Sequence, residues 1–291
     1  MRIFLISGAA LAAVLLVQGC EPGGGDATTA AAPEAEVPVV EQASSSSIDA
    51  VLAGEHRSAE NKARDKYRHP GETLEFFGIQ PDSSVIEIWP GGGWYTEILA
   101  PYLRDNGRYI AAGFDPNSEI EFIAAGAVRF REMLDANPDV YGKVETTILM
   151  PPTHLEMVPP GSVDAVLTFR SVHNWMPRNM EGMVLDSMFA ALKSGGVLGI
   201  VEHRGIPGTE QDPGANTGYV NQDYAIALAE AAGFVFDASS EINANPADTK
   251  DHPEGVWTLP PTLRLKDQDR DKYLGIGESD RFTLRFIKPA E

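Results

Sequence analysis

Val85-Ile86-Glu87-Ile88-Trp89-Pro90-Gly91-Gly92-Gly93-Trp94-Tyr95 is the stretch whose reading decides the fold. Residues of strand character, Val85 to Ile88, run through Trp89 and Pro90 into three consecutive glycines, and an amphipathic helix pattern starts at once behind them. Strand, glycine loop and helix in that order make a nucleotide-type site. Gly91 and Gly93 remove side chains where a ligand must lie against bare backbone. The helix that begins near Trp94 turns its free amide groups and the positive end of its dipole toward that ligand. Glu87 is the odd residue, since a carboxylate in a buried parallel strand needs a partner, and a cationic ligand is the obvious one.

Working outward, Tyr95, Ile98, Leu99, Tyr102 and Leu103 keep the rhythm of a helix packed on one face, which Pro101 should kink or end. Tyr109 to Phe114 reads as a second strand, stopped at Asp115-Pro116. Asp115 lies 22 residues past Gly93, near the roughly 20 at which Rossmann-like sheets place an acid for a ribose. The alternative is that it only caps the next helix. A long helix from Ser118 to about Asn137, a third strand Val144 to Met150 and a fourth strand Val163 to Phe169 follow. The fourth ends in Arg170, His173, Asn174 and Trp175, which at the carboxyl edge of a parallel sheet would face whatever the glycine loop holds. A lone histidine is usually structural, but four such residues together weigh toward a functional cluster.

Met180, Met183, Val184, Met188 and Leu192 mark a further packed helix. A fifth strand, Val197 to Glu202, leads into His203 and Arg204, a second basic pair at the same edge. A helix from Tyr224 to Ala232, a strand from Phe234 to Ile242 and a closing strand from Arg281 to Ile287 complete the pattern. Between the last two lies a long irregular segment, Asn243 to Asp280, of the kind that forms lids or binding loops. Ahead of the first strand, Ser46-Ser47-Ile48-Asp49 has the form of a capping box that opens a helix edged by Ile48, Val51 and Leu52. The charged run Glu55 to Arg68 behind it is either a solvated face or an element lying across the site with Arg57, Arg64 or Arg68 reaching inward.

The chain of 291 residues carries 23 basic and 42 acidic side chains, a formal charge of −19. That balance excludes nucleic acid as a partner and binding to anionic membrane by charge alone. The single cysteine, Cys20, excludes an intrachain disulfide and a thiolate metal cluster. Arg2 and the apolar run Ile3 to Val17 have the form of an export signal, and Val17-Gln18-Gly19-Cys20 resembles a bacterial lipobox, which implies cleavage before Cys20 and its lipidation. Residues 1–19 are thus expected to be a lipoprotein signal peptide. Residues 20–47, rich in Gly, Ala, Pro and Ser, read as a flexible tether, and 48–291 as one α/β domain. The expected location is outside the cytoplasm, anchored to a bacterial membrane, in the periplasm or cell envelope.

The spacing of Glu87, Gly91 and Gly93 resembles the first motif of class I S-adenosylmethionine (SAM) dependent methyltransferases, which usually have another glycine where this chain has Trp89. The turn Leu192-Lys193-Ser194-Gly195-Gly196 and the two closing strands are similar to that family. More narrowly, Pro90 to Glu97, Phe169 to Asn174, Val201 to His203 and Asn245 to Pro253 resemble a bacterial group of predicted methyltransferases, some of them exported. The resemblance implies a Rossmann-like, doubly wound, seven-stranded sheet with an added N-terminal helix. It also implies methyl transfer from SAM to a small-molecule or envelope acceptor. Under it, Glu87, Pro90, Gly91, Gly92, Gly93 and Tyr95 hold SAM and Asp115 its ribose. His173 is the first candidate base and His203 the second, while Arg170 and Asn174 orient the acceptor, and an anionic acceptor would suit Arg170 and Arg204. The third strand offers only Met150, Pro151 and His154 where the family often has an acid for adenine, so that contact is expected to be apolar.

In-line displacement at a sulfonium methyl needs alignment and exclusion of water rather than a metal. Four rival readings arise, of which all but the serine hydrolase stay open. A nicotinamide oxidoreductase would want a glycine at Thr96. A metal hydrolase would need ligand spacing that His154, His173, His203 and His252 lack. A serine hydrolase would show a Gly-x-Ser-x-Gly elbow, which is absent. A non-catalytic lipoprotein that keeps the fold as a binding or assembly module is the fourth, since SAM is made in the cytoplasm.

Overall fold

The computed structural model describes residues 47–290, so the expected signal peptide, most of the tether and Cys20 lie outside the described residues. Seven strands form one sheet: β1 (Ser84–Ile88), β2 (Arg108–Gly113), β3 (Glu145–Ile148), β4 (Val163–Phe169), β5 (Leu192–His203), β6 (Val235–Ser240) and β7 (Arg281–Ile287). Their order is β3-β2-β1-β4-β5-β7-β6. The first five run parallel to one another, and β7 enters antiparallel between β5 and β6. After β3 the chain crosses back over β1 to lay down β4, so the carboxyl ends of β1 and β4 adjoin at the point where winding reverses, which is where open α/β sheets bind ligands.

Alternation along β1 divides the core. Ile86 and Ile88 pack on one face with Trp175, Val184, Met188 and Phe282. Val85 faces the other way, toward Ile98, Leu99 and Leu103 of the helix Thr96–Leu103. Glu87, by the period of two, shares that second face. Each fully buried leucine or isoleucine there contributes about 1.5–3 kcal/mol relative to exposure.

Pro101 does not interrupt its helix but falls two residues from its end. Having no N–H, it leaves the Glu97 carbonyl without its helical donor, and the His56 ring nitrogen meets that oxygen at 2.8 Å. Here a turn between the N-terminal helices repairs a defect that the sequence alone exposes.

The N-terminal region departs from one long charged helix. Ser47, one residue on from the head of the expected capping box, caps Ile48–Ala53 through its hydroxyl, but the chain breaks at Gly54 and resumes as two single turns, Ala59–Lys62 and Asp65–Arg68. The segment 243–280 is likewise no plain loop. It carries a 3-10 turn, Gly255–Thr258, and a helix, Arg270–Ile276. Asp248 anchors it, accepting from the Tyr219 hydroxyl at 2.9 Å and from the Asp280 amide at 2.8 Å, with the His252 ring nitrogen 2.8 Å away.

Candidate functional site

At the reversal point lies a cavity of about 700 Å³. Its near wall is the glycine loop. Trp89, Gly91 and Gly93 all have left-handed backbone, with φ of 48°, 60° and 79°. That is why glycine is the usual tenant at position 89 in the resembled motif, since a side chain there carries strain. Trp89 is held by an indole N–H donated to the Leu149 carbonyl at 2.9 Å and by the Phe114 ring at 4.9 Å. It closes the gap between the ends of β1 and β3 and forms wall rather than plug. A Cβ on Gly92 would meet nothing within 4 Å, and one on Gly91 only the Trp89 carbonyl at 3.9 Å, so both present bare backbone to open space. Gly93 serves packing instead, for a Cβ there would stand 2.4 Å from the Met133 sulfur.

Glu87, Pro90, Gly91, Gly92 and Tyr95 line the cavity; Gly93 and Asp115 do not. Asp115 folds back to accept from the Asn117 amide at 2.8 Å, capping its own turn. The lining at this end is apolar instead: Phe114, Ile120, Phe122 and Met150. Phe122 is 67 % exposed and Ile120 46 %, an apolar wall that gains from being covered.

Glu87 is buried, and its intramolecular partner is a neutral one, the Tyr109 hydroxyl, which also contacts Thr96 at 2.8 Å. Burial pushes its carboxyl up to about 7, against the opposing pull of the Tyr109 and Thr96 hydroxyls and of the Arg170 charge. A cation at the cavity would restore its ionised form.

The far wall begins at Phe169, whose ring stacks on Tyr95 at 3.5 Å and ties the glycine loop to the end of β4. Arg170 follows in the left-handed region, φ 60°, and turns the chain into the short helix Val172–Trp175. Arg170, His173, Asn174 and His203 all line the cavity, so the candidate cluster converges. The residue that organises it is Glu202, fully buried at the end of β5. One oxygen accepts from the Val172 amide at 2.7 Å; the other accepts from the His203 amide at 2.8 Å and meets His173 Nδ1 at 3.0 Å. A carboxylate can only accept, so His173 carries its proton on Nδ1 and turns the Nε2 lone pair to the cavity. The His203 ring lies 5.3 Å from that of His173, with its Nδ1 on the Ser279 hydroxyl. Burial, and then the nearby His173 and arginine charges, hold His203 well below the usual histidine range, so it is neutral at pH 7.

His173, Glu202 and His203 are grouped closely enough to invite comparison with a metal site, their ligand atoms lying within 4.8 Å of one another. The donor chemistry favours the orienting role, because both Glu202 oxygens are already engaged by backbone amides. Of the other basic candidates, Arg204 is taken up by Glu241 at 2.7 Å and by Asp280 at 3.4 Å. His154 is exposed and His252 pairs with Asp248. The charged N-terminal run proves to be the inward-reaching kind: Arg64 and Arg68 line the cavity, while Arg57 is buried against Asp65 at 2.7 Å.

Sequence reasoning passed over Glu202 and Glu278. The argument that singles out Glu87, a carboxylate inside a buried strand, applies unchanged to Glu202. For Glu278, in an irregular segment far from Arg64 and Arg68, the nearness of Arg281 alone gives no local signal.

No family model matches the chain, and no curated protein matches it either. Solved structures do. A SAM dependent methyltransferase from Aquifex aeolicus aligns with a TM-score of 0.52 at 14% identity, over 78% of this chain and 93% of its own. A protein provisionally assigned as a sarcosine dimethylglycine methyltransferase, from Galdieria sulphuraria, aligns with a TM-score of 0.53 at 13% identity, over 80% of this chain and 88% of its own. The seven-stranded order, the antiparallel β7 and these alignments agree: the chain has the class I methyltransferase fold.

Proposed function

We propose that this protein is a SAM-dependent methyltransferase acting on a small-molecule or envelope acceptor. The observation that carries the reading is the meeting, in one cavity, of a bare glycine loop with a buried carboxylate and a carboxylate-oriented histidine. The residues fit the donor. Glu87 offers charge to a cationic ligand, Pro90, Gly91 and Gly92 offer backbone without obstruction, and Tyr95 holds the loop. Phe114, Ile120, Phe122 and Met150 offer an apolar bed for a nucleobase.

When bound, SAM supplies an electrophilic sulfonium methyl. The chain's part is to align the acceptor, keep water out and accept a proton. His173 Nε2 takes the proton from an acceptor that carries one, and Glu202 stabilises the imidazolium that results. His203, neutral and beside it, adds no competing charge. Asn174 and Arg170 stand at the same edge to orient the acceptor. Asp115 would reach a ribose only by releasing its turn.

For the N-terminus the reading keeps a lipid anchor at Cys20 and a place in the periplasm or cell envelope. Metabolic labelling with a fatty-acid analogue, lost in Cys20→Ser, supports that part, and labelling that persists overturns it. Calorimetric titration of the full-length protein with SAM and with S-adenosylhomocysteine tests the enzymatic part. Saturable binding of both supports it; the absence of heat from either leaves a fold kept for another purpose.

A further inference from the structure

Of the five arginines that line the cavity, Arg178 is exposed and the other four, Arg64, Arg68, Arg170 and Arg281, gather beside His173, in a chain whose formal charge is −19. Their one shared carboxylate is Glu278. It accepts from Arg64 Nε at 2.6 Å, from Arg68 Nε at 3.0 Å and from Arg281. The other carboxylates near them, Glu87 and Glu202, are hydrogen bonded to Tyr109 and His173. The cations therefore outnumber what the protein provides to balance them.

The shortfall shows at particular atoms. Arg68 is 3 % exposed, and both of its terminal nitrogens are buried without a hydrogen-bond partner among the described residues. Its guanidinium lies over the Trp94 ring at 4.7 Å, which braces it from behind. Arg281 has a buried Nε in the same condition. Arg170, half-buried, is held by its left-handed backbone and by its amide bond to the Val201 carbonyl at 2.7 Å, and among the described residues no hydrogen bond engages its guanidinium. Buried guanidinium N–H groups left unpaired are costly, and a bidentate oxyanion is the ligand that satisfies them best.

We propose that Arg68 and Arg170, backed by Arg281 and Glu278, form a receptor for an oxyanion, and that the acceptor is therefore a molecule bearing a carboxylate or phosphate group. Oxyanion binding stands on this geometry alone; its assignment to the acceptor rests on the methyl-transfer reading. Arg170 precedes His173 by three residues and lines the same cavity, so an anion held there brings the rest of its molecule to the imidazole. Arg204, bound to Glu241 and Asp280, takes no part.

The test is titration of the full-length protein with inorganic phosphate and, separately, with acetate, at constant ionic strength in chloride, with and without saturating S-adenosylhomocysteine. The expected result is saturable binding of one probe, the better one naming the group. Arg170→Gln should weaken it by roughly tenfold or more, and Arg170→Lys, which keeps the charge but loses the planar fork, by less. Arg108→Gln, which breaks an exposed pair with Glu145, should leave it unchanged. Lack of saturable binding by either probe, or equal binding by the wild type and both Arg170 variants, overturns the proposal. Displacement of the probe by S-adenosylhomocysteine overturns the acceptor assignment, because the arginines then serve the donor's own carboxylate. The nucleoside titrated alone reports on the methyl-transfer reading, so the two can fail separately.

Discussion

One wall of the cavity, Glu87 through Tyr95, is a single run of chain. The opposite wall joins Arg64 and Arg68, Arg170 and His173, Glu202 and His203, and Glu278 and Arg281, from four places in the sequence. The first is shaped by backbone: left-handed φ values, absent side chains and one buried acid sharing a hydroxyl with its neighbour strand. The second is shaped by charge, with carboxylates Glu202 and Glu278 acting as hubs for donors that lie 29 to 30 and up to 214 residues away. A wall of the first kind tolerates change outside its own few residues, whereas one of the second kind should fail wherever a hub is removed.

The sharpest way to break this contrast is Glu278→Ala. It strands three guanidiniums in a buried site and should destabilise the protein by about 3–5 kcal/mol in chemical denaturation, with added phosphate recovering part of the loss. A loss below 1 kcal/mol would mean that the hub is idle. Next in size, His173→Gln should lower methyl transfer by roughly 10²–10⁴-fold while leaving the affinity for SAM unchanged. A parallel loss of SAM binding would erase the division of labour between the walls.

On the near wall the effect is one of pH. The Glu87 carboxyl titrates at about 7 in the folded chain against 4.5 for an ordinary carboxyl, so between those values the native state binds more protons than the unfolded one. Stability of the ligand-free protein should therefore fall as pH rises through that window, by roughly 3 kcal/mol in all, while affinity for a cationic donor rises. Glu87→Gln should flatten both curves, and a wild-type denaturation profile already flat from pH 5 to 8 would refute the account. The smallest effect belongs to Gly91→Ala. Strain at φ 60° should cost about 1 kcal/mol of stability, with donor affinity falling further because the new methyl stands in the cradle. Calorimetry beside thermal unfolding separates the two.

The same contrast explains what the amino-acid order revealed. The near wall was legible because strand, loop and helix are contiguous and the period of two places Glu87 inward. All seven strands could be placed, β4 and β7 with the observed limits, from apolar runs such as Val163 to Phe169 or from alternation such as Arg281 to Ile287. His173 and Arg170 were legible as a cluster at a strand end. Which arginine turns inward was not: Arg57, Arg64, Arg68 and Arg204 look alike in sequence, and their fates were set by Asp65, Glu278 and Glu241, which only folding brings near. Asp115 shows the converse, a residue at the expected distance that local geometry spends on its own turn.

Glu278 and Arg281 stand within the last fourteen residues of the chain, while the groups they serve belong to the first described helices. The same stretch holds β7, the strand between β5 and β6 whose Phe282, Leu284 and Phe286 are fully buried, so a polypeptide cut before Glu278 would lose the hub together with the bridge that joins β6 to the sheet. Receptor and architecture are thus welded at one seam: a cut before Glu278 should fail as a fold before it fails as a binder, and point substitution at Glu278 is what separates the two.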